Sequence, residues 1–350
     1  MKKALILLAL LAAAFIAAAP LCMAEIQYGE WELVMDKNGI KAYSRKVEGS
    51  GIFEFRAVAV VDAPIEVVGE TLRDVPACAD WLPYCQEARL LEMTDRNHFS
   101  TYNIFNLPWP LKDRDLALGT DTEYDLVHGR AVSNFRNIVT PACPESDDYI
   151  RMPSLKGQYV FEFITRERTG IIQTYRADLA GAIPDWMANI ATKYMMYDTY
   201  MNLKTLFKKE KYIEAAKQSP DREVCLNILE NKKRVKEILV ARLREFIQDQ
   251  DFIEMILADR DIDGVLLSDN GRTSETILYG WGSDQSKKTA VQGILRAYLT
   301  AQGQCEETIK AAVKDDLLVE TILHGPEQAG QTSPKIIETY LKGSSVIASN

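Results

Sequence analysis

Side chains that carry most hydrolytic and metal-dependent chemistry are scarce in this sequence of 350 residues. Only three histidines occur, His98, His128 and His324, and they lie far apart along the chain. Neither the Gly-x-Ser-x-Gly motif of serine hydrolases nor the His-Glu-x-x-His motif of metalloproteases is present. Glycine-rich phosphate loops of the GxGxxG and Walker types are missing too, which removes the usual support for a nucleotide cofactor. We therefore predict no catalytic residue, no metal site and no cofactor.

A surplus of positive charge is also missing. The chain has 41 lysines and arginines against 50 aspartates and glutamates, a net charge of −9. A nucleic-acid partner needs a basic surface to meet its phosphates, so this balance argues against one. With 47% hydrophobic and 26% charged residues the composition is that of a globular protein, and the length suggests two domains.

The long apolar run of the sequence lies at its N-terminus. After a basic start, Ala4 to Ala19 is an uninterrupted apolar stretch of 16 residues, short for a membrane span of about 20 residues. Ala24 then offers a small residue at a cleavage position. We predict a signal peptide over residues 1–24, cleaved after Ala24, and export, most simply to a bacterial periplasm. An uncleaved anchor is the alternative, which the shortness of the run disfavours.

Cysteines are few and follow no metal or redox spacing. Five remain after residue 24, no Cys-x-x-Cys pair occurs, and the odd number leaves at least one without an intrachain partner. Cys78 and Cys85 are close enough in sequence for a local disulfide in an oxidising compartment. Two buried free thiols are an equally good interpretation.

Composition changes along the chain. Residues 25–220 hold 24 of the 31 aromatic residues, whereas residues 221–350 hold six. Between them, Gln218-Ser219-Pro220-Asp221 combines a proline with polar residues that can start a helix. We predict an α+β domain over residues 25–219 and an all-helical domain over residues 220–350. The second could dock a partner, form a dimer or support the first.

Within the first domain, strand patterns surround one long helix. Alternating β-rich runs include Phe53–Val61, Ser100–Phe105, Gln158–Ile164 and 170–178, and helical spacing runs from Asp185 to about Ala216. One stripe of that helix follows 3–4 spacing, with Trp186 beside it: Met187, Ile190, Tyr194, Tyr197 and Met201. The stripe is either an ordinary core face or a lid over an apolar cavity, for which aromatic and methionine side chains are suited.

Four ordered segments carry a resemblance to a known family. They are the hairpin from Trp31 through Asn38-Gly39 to Arg45, Val61-Asp-Ala-Pro-Ile-Glu-Val-Val68 followed by Trp81, Pro108-Trp-Pro-Leu-Lys-Asp-Arg-Asp115, and Tyr175-x-x-Asp-x-x-Gly-x-Ile-Pro-x-Trp186. In this order and spacing, residues 28–212 resemble the START (StAR-related lipid-transfer) domains. The resemblance implies a helix-grip fold, in which a curved antiparallel sheet wraps a long C-terminal helix around a tunnel. It also implies that the tunnel holds one lipid-like molecule without catalysis.

The resemblance and the strand parities together give a set of candidate ligand-binding residues in the tunnel wall or lid. These are Tyr102, Ile104, Arg114, Tyr159, Phe161, Phe163, Tyr175, Trp186, Met187, Ile190, Tyr194 and Tyr197. The sequence departs from the animal sterol carriers of the family, which place an acidic and a basic residue on facing strands. The matching positions, Thr101 or Asn103 and Thr120, are neutral. Arg114 is either a ligand contact or a structural partner within its turn.

We therefore predict an exported carrier that holds one sterol, hopanoid, fatty acid or phospholipid, with transient membrane contact. A helix-grip enzyme of the cyclase or aromatase type is one alternative, and a lipid-gated scaffold acting through the helical domain is another. A further motif, Asp259-Arg-Asp-Ile-Asp-Gly264, resembles the first half of an EF-hand calcium loop. Asn270 stands where that loop needs a bidentate acid, so an acidic loop between two helices is the competing interpretation.

Overall fold

The computed structural model of the chain describes residues 27–181, 183–258, 272–326 and 331–347. The predicted signal peptide and the acidic motif at residues 259–264 lie outside the described residues. Among those that are described, no helix combines the length and the apolar character needed to cross a bilayer.

Ten strands form one curved sheet, as the resemblance implied. They are β1 (Glu32–Lys37), β2 (Ile40–Val47), β3 (Ser50–Val61), β4 (Cys85–Asp95), β5 (His98–Phe105), β6 (Arg114–Asp125), β7 (Arg130–Ile138), β8 (Ile150–Arg151), β9 (Ser154–Thr165) and β10 (Arg168–Asp178). The order is β1-β2-β3-β10-β9-β7-β6-β5-β4, and neighbours along it pair antiparallel. The short β8 pairs parallel with β6. The predicted turn between β1 and β2 is confirmed, because Asn38 and Gly39 both have positive φ, at 54° and 72°.

Helices follow the third strand, and most of the described residues after the last strand are also helical. They are α1 (Ile65–Arg73), α2 (Cys78–Trp81), α3 (Asp185–Leu206), α4 (Glu210–Lys217), α5 (Pro220–Glu230), α6 (Lys232–Leu243), α7 (Gln250–Ala258), α8 (Arg272–Tyr279), α9 (Asp284–Ala301), α10 (Glu306–Val313), α11 (Asp316–His324) and α12 (Ser333–Ile347). The predicted α+β helix-grip fold is confirmed. The single helix predicted from Asp185 to about Ala216 is in fact two, because the chain turns between α3 and α4.

The central strands are buried on both faces. On the concave face, Phe55 of β3 belongs to a core that also contains residues of α3. On the convex face, Val58 of β3 and Ile172 of β10 pack against Leu278 of α8. Gly170 permits this approach, since a Cβ there would lie 2.7 Å from a Leu278 methyl carbon. Because these strands are buried on both faces, their sequences are apolar at nearly every position instead of alternating between apolar and polar residues.

The C-terminal helices have their own core and are joined to the sheet by a buried arginine. Twenty buried residues from α6 to α12 form one hydrophobic cluster. From α6, the side chain of Arg242 donates at 2.8–3.0 Å to three backbone carbonyls of the sheet region, those of His128, Gly129 and Phe163. Because a buried guanidinium needs such partners, this arginine fixes the helices against the convex face.

Strand β4 forms one edge of the sheet and is the most irregular. Its pairing with β5 shifts register at three places along its 11 residues. Most of its side chains are exposed, among them Glu87, Arg89 and Glu92.

Candidate functional site: an internal cavity

An internal cavity of about 250 Å³ lies between the concave face of the sheet and the helices α1, α3 and α5. Its wall takes alternate residues from each strand, because successive side chains of a strand point to opposite faces. The strand residues of the wall include Phe99, Thr101, Asn103 and Phe105 of β5, Leu116, Leu118, Thr120, Thr122 and Tyr124 of β6, Ala131, Ser133 and Phe135 of β7, Tyr159, Phe161 and Phe163 of β9, and Gln173 and Tyr175 of β10.

Four of the sequence-predicted residues line this cavity. Tyr159, Phe161 and Phe163 share one parity on β9, and Tyr175 lies beside them on β10. The ring of Tyr159 lies 5.5 Å from that of Phe161, nearly parallel to it, and 5.5 Å from that of Phe135. The aromatic residues at alternate positions of β9 therefore face the cavity, as the sequence predicted.

The placement predicted for Tyr102 and Ile104 needs correction. Both are buried on the opposite face of β5, where they pack with Cys143 and with Tyr149 from the connection between β7 and β8. The phenol of Tyr102 donates to Asp115 at 2.8 Å. Hydrophobicity selected the wrong face because this part of the convex face is covered by chain, while the middle of the cavity face of β5 carries the small polar side chains of Thr101 and Asn103.

Arg114 lies outside the cavity wall and holds two loops together. Its guanidinium donates to the carbonyls of Leu179 at 2.9 Å and Ala180 at 3.0 Å, and also to that of Lys112. The loop between β5 and β6 is thereby fixed to the loop that precedes α3. Of the two interpretations of Arg114, the geometry supports the structural one.

The N-terminal part of the predicted stripe of α3 lies at the surface rather than over the cavity, whereas Tyr197 and Met201 are half-buried and pack against the core of the concave face. Trp186, Ile190 and Tyr194 are 62%, 51% and 56% exposed, and Met187 is 39% exposed. Tyr197 accepts a hydrogen bond from the Asn38 side chain at 2.6 Å, between α3 and the first hairpin.

A second stripe of α3 faces the cavity. It consists of Met195, Met196 and Thr199. Because α3 carries apolar residues around most of its circumference, two stripes with 3–4 spacing exist, and spacing alone does not choose between them.

Several uncharged polar side chains lie in the otherwise apolar wall of the cavity. Thr101, Asn103 and Thr120 all line the cavity. The Trp81 indole N–H and the Gln173 amide oxygen are buried and have no hydrogen-bond partner among the described residues.

The cavity tyrosines remain protonated over the physiological range. Burial raises the pKa of both Tyr159 and Tyr175 well above that of a free phenol. The Gln173 amide N–H donates to the Tyr159 oxygen at 2.7 Å, which leaves the phenol proton of Tyr159 available. This part of the wall can therefore form hydrogen bonds with an uncharged hydroxyl or carbonyl group.

The cysteines of the described chain are thiols. Cys78 lines the cavity, and Cys85 lies next to it at the start of β4. A hydrogen bond between the two raises the pKa of the Cys78 thiol, with burial adding to the effect, and lowers the pKa of Cys85. Of the two sequence interpretations, the structure shows the free-thiol form.

One end of the cavity is polar and was not predicted. The carboxylate of Asp221, at the start of α5, accepts hydrogen bonds from the guanidinium of Arg73 of α1 at 2.8 Å and from the phenol of Tyr124 at 2.5 Å. Burial alone would raise the pKa of Asp221, but Arg73 and Tyr124 outweigh it and hold the pKa below its ordinary value. Ser219 caps α5, as the sequence predicted, yet nothing in the sequence indicated that this helix meets the cavity.

The described lining contains no histidine. Across the described residues, no group of three or more histidine, cysteine, aspartate or glutamate side chains is arranged to hold a metal ion.

The fold and cavity can now be compared with known proteins. A model of the START domain matches residues 16–211, more than half of the chain. The chain belongs to the START domain family. The predicted resemblance over residues 28–212 is therefore confirmed, and the cavity lies in the START domain except where α5 completes it.

Several relatives share the START segment. Phosphatidylcholine transfer protein of Rattus norvegicus is 26% identical over 168 residues, which cover 47% of this chain and 77% of that protein. An uncharacterized protein of Pseudomonas aeruginosa is 27% identical over 187 residues, 53% of this chain and 89% of that protein. The crystal structure of a STAR-related lipid transfer protein from Xanthomonas axonopodis is 28% identical, covers 52% of this chain and 100% of that one, and has a TM-score of 0.48.

Proposed function

We propose that this protein carries one lipid molecule in its internal cavity and exchanges it with membranes. The observation that carries the proposal is the cavity wall, in which alternate aromatic and aliphatic side chains from five strands face a common space. Transfer of an apolar ligand into such a space is favourable by about 25 cal/mol per Å² of buried apolar surface, before the costs of association. Family membership and the lipid-transfer relatives support the same role.

The polar atoms of the wall favour a neutral polar group on the ligand. Thr101, Asn103 and Thr120 line the cavity, and all three side chains are polar and uncharged. At about 250 Å³ the cavity is slightly smaller than the roughly 300–1,000 Å³ typical of ligand pockets. Both features favour a slender lipid alcohol or carbonyl compound, such as a sterol, a hopanoid or a single-chain lipid, over a two-chain phospholipid, which would need the cavity to widen.

Membrane contact belongs to the proposal and has a candidate surface. Trp109 is 93% exposed in the β5–β6 loop, and Trp186 and Ile190 are exposed on α3. Arg114 joins the β5–β6 loop to the loop that precedes α3. Exposed tryptophans suit the interface between water and lipid, because the indole has an apolar body and a polar N–H.

Native mass spectrometry of the full-length mature protein tests the carrier function. We expect a complex with one lipid per chain, and extraction with organic solvent should release a molecule with a hydroxyl or carbonyl group. The purified protein should also take up fluorescent sterol or fatty-alcohol probes from vesicles. Protein that co-purifies with no lipid, and that binds no sterol, hopanoid, fatty-acid or phospholipid probe, would show that the proposal is wrong.

Export is part of the same proposal and is supported by the basic start and the apolar run Ala4–Ala19. Cell fractionation with N-terminal sequencing tests it. We expect mature protein that starts at Glu25 in the periplasmic fraction. Recovery in the cytoplasm with residues 1–24 retained would contradict export without affecting the carrier function.

A further inference from the structure

Part of the cavity wall comes from outside the family match. The START match ends at residue 211, whereas Asp221, Val224, Cys225 and Ile228 of α5 all line the cavity. Cys225 and Ile228 are buried and Val224 is half-buried. Burial and its acidic neighbours Glu66 and Asp221 raise the pKa of Cys225 to about 12, so the thiol is neutral and acts as a small apolar group.

Polar contacts at its N-terminus hold α5 in place. Arg73 and Tyr124 bind Asp221, and Arg96 donates to the Ser219 hydroxyl at 3.0 Å. These contacts occupy the carboxylate of Asp221 and the hydroxyl of Ser219. At this end of the cavity, the side chains left for a ligand to contact are therefore the apolar ones of Val224, Cys225 and Ile228.

The helix is also supported from behind. Ile228 packs in one cluster with Phe163 of β9 and Ile238 of α6, and Ile238 in turn lies against Gly129, where a Cβ would come within 2.9 Å of it. A side chain supported in this way resists displacement, because protein interiors are close-packed.

We infer that α5 forms the floor of the cavity and sets the length of the lipid that fits. The apolar end of the cargo meets Val224, Cys225 and Ile228, so the C-terminal helices determine specificity even though they lie beyond the family match. This inference rests on the carrier function proposed above. It adds a limit on chain length that cargo binding alone does not require.

Two substitutions at one position test the limit. In the full mature chain, Val224→Phe should shift the preferred member of a series of straight-chain 1-alkanols to a shorter chain, and Val224→Ala should shift it to a longer one. Affinities are measured by displacement of a fluorescent fatty alcohol. Each methylene that no longer fits should cost about fourfold in affinity. Asn227→Phe, on the exposed face of the same helix, is the matched control and should leave the profile unchanged.

The thiols give a second measurement that needs no substitution. Cys225 should react more slowly with monobromobimane when an alkanol is bound. Cys143, which is buried outside the cavity and belongs to the β7–β8 connection, should react at the same rate in both states. Peptide mass spectrometry assigns the two sites. If either Val224 variant does not fold, the assignment of α5 as the floor is tested by whether bound alkanol slows the labelling of Cys225 but not that of Cys143.

The outcomes separate the two proposals. If wild-type protein binds the alkanols but folded Val224→Phe keeps the wild-type length profile, the floor assignment is wrong and the carrier function stands. Equal labelling of Cys225 with and without ligand would likewise overturn the floor alone. If wild-type protein binds no alkanol and holds no lipid, both proposals fail together.

Discussion

Glu162 shows how much the fold depends on single ionic groups. It has no exposed surface, and its carboxylate lies 3.0 Å from Arg130 and 3.6 Å from Arg242, on the convex face where the C-terminal helices pack. We expect Glu162→Gln to lower the free energy of unfolding by about 3 kcal/mol, since it removes the carboxylate paired with the buried Arg242 and one of the two paired with Arg130. Urea denaturation measures the change. Glu167→Gln, an exposed site in the β9–β10 turn, should change it by less than about 0.5 kcal/mol.

Asp115 predicts how stability changes with pH. It is buried and accepts from Arg151 at 2.9 Å and from Tyr102 at 2.8 Å. Burial raises its pKa, but these two partners outweigh burial and the pKa lies below its ordinary value. The stabilisation is therefore complete above the ordinary carboxyl pKa of about 3.9, and it is lost as the pH falls through the lower pKa of the folded state.

The measurement is urea denaturation at a series of pH values. Wild-type stability should be nearly constant above about pH 5 and fall below about pH 4. Asp115→Asn should be less stable at pH 7 and show a shallower acid decline. If the free energy of unfolding of Asp115→Asn falls with acid as steeply as that of the wild type, Asp115 is not the group responsible for the pH dependence. Glu92→Gln on the exposed edge strand serves as the control.

The exposed stripe of α3 has a testable role at membranes. Trp186→Ser with Ile190→Ser should slow lipid transfer between vesicles by roughly tenfold, because each removes apolar surface available to the bilayer. The melting temperature should change little, since both side chains are more than half exposed. Met196→Ser, on the cavity stripe of the same helix, should instead reduce the amount of lipid bound. Equal transfer rates in wild type and the double variant would place the membrane contact elsewhere.

The helices and strands were largely predictable, while the direction in which they face was less so. The β9 parity of Tyr159 and Phe161 was right because the aromatic residues there point into the cavity. On β5 the same reasoning failed, since Tyr102 is covered by a connection that no sequence pattern places. For α3, apolar residues on both sides gave two admissible stripes. Which face is inward depends on distant chain segments, and local periodicity contains no information about them.

Helix α5 illustrates a further limit of the sequence. Ser219 and Pro220 marked its start correctly, and the change in composition suggested a domain boundary at the same place. In the structure, however, Ile228 of α5 shares a hydrophobic cluster with Phe163 of the sheet. A boundary at 219/220 therefore divides residues that share a core.

Removal of residues 220–350 should consequently damage the START domain. The truncation would expose Phe163 and leave Glu162 without Arg242, and it would remove Glu245, which binds Arg130 through two contacts of 2.8 Å. We expect the shortened protein to aggregate or to melt at least 10 °C lower, in line with several kcal/mol of lost stability. Thermal denaturation and dye binding to exposed apolar surface measure this. A soluble fragment with the wild-type melting temperature would show that the two parts fold independently.

A protein partner or dimer contact for the C-terminal helices stays a prediction.

The irregular edge strand β4 bears on self-association. An unpaired sheet edge offers hydrogen-bonding groups to any other strand, and long regular edges are common starting points for aggregation. β4 interrupts its register three times and exposes Glu87, Arg89 and Glu92 along its length. A second copy would have to remove water from these charged side chains, and its backbone donors and acceptors would not match the shifted register of β4. The fold therefore resists growth into fibrils at this edge, although Leu90 and Met93 expose apolar surface there.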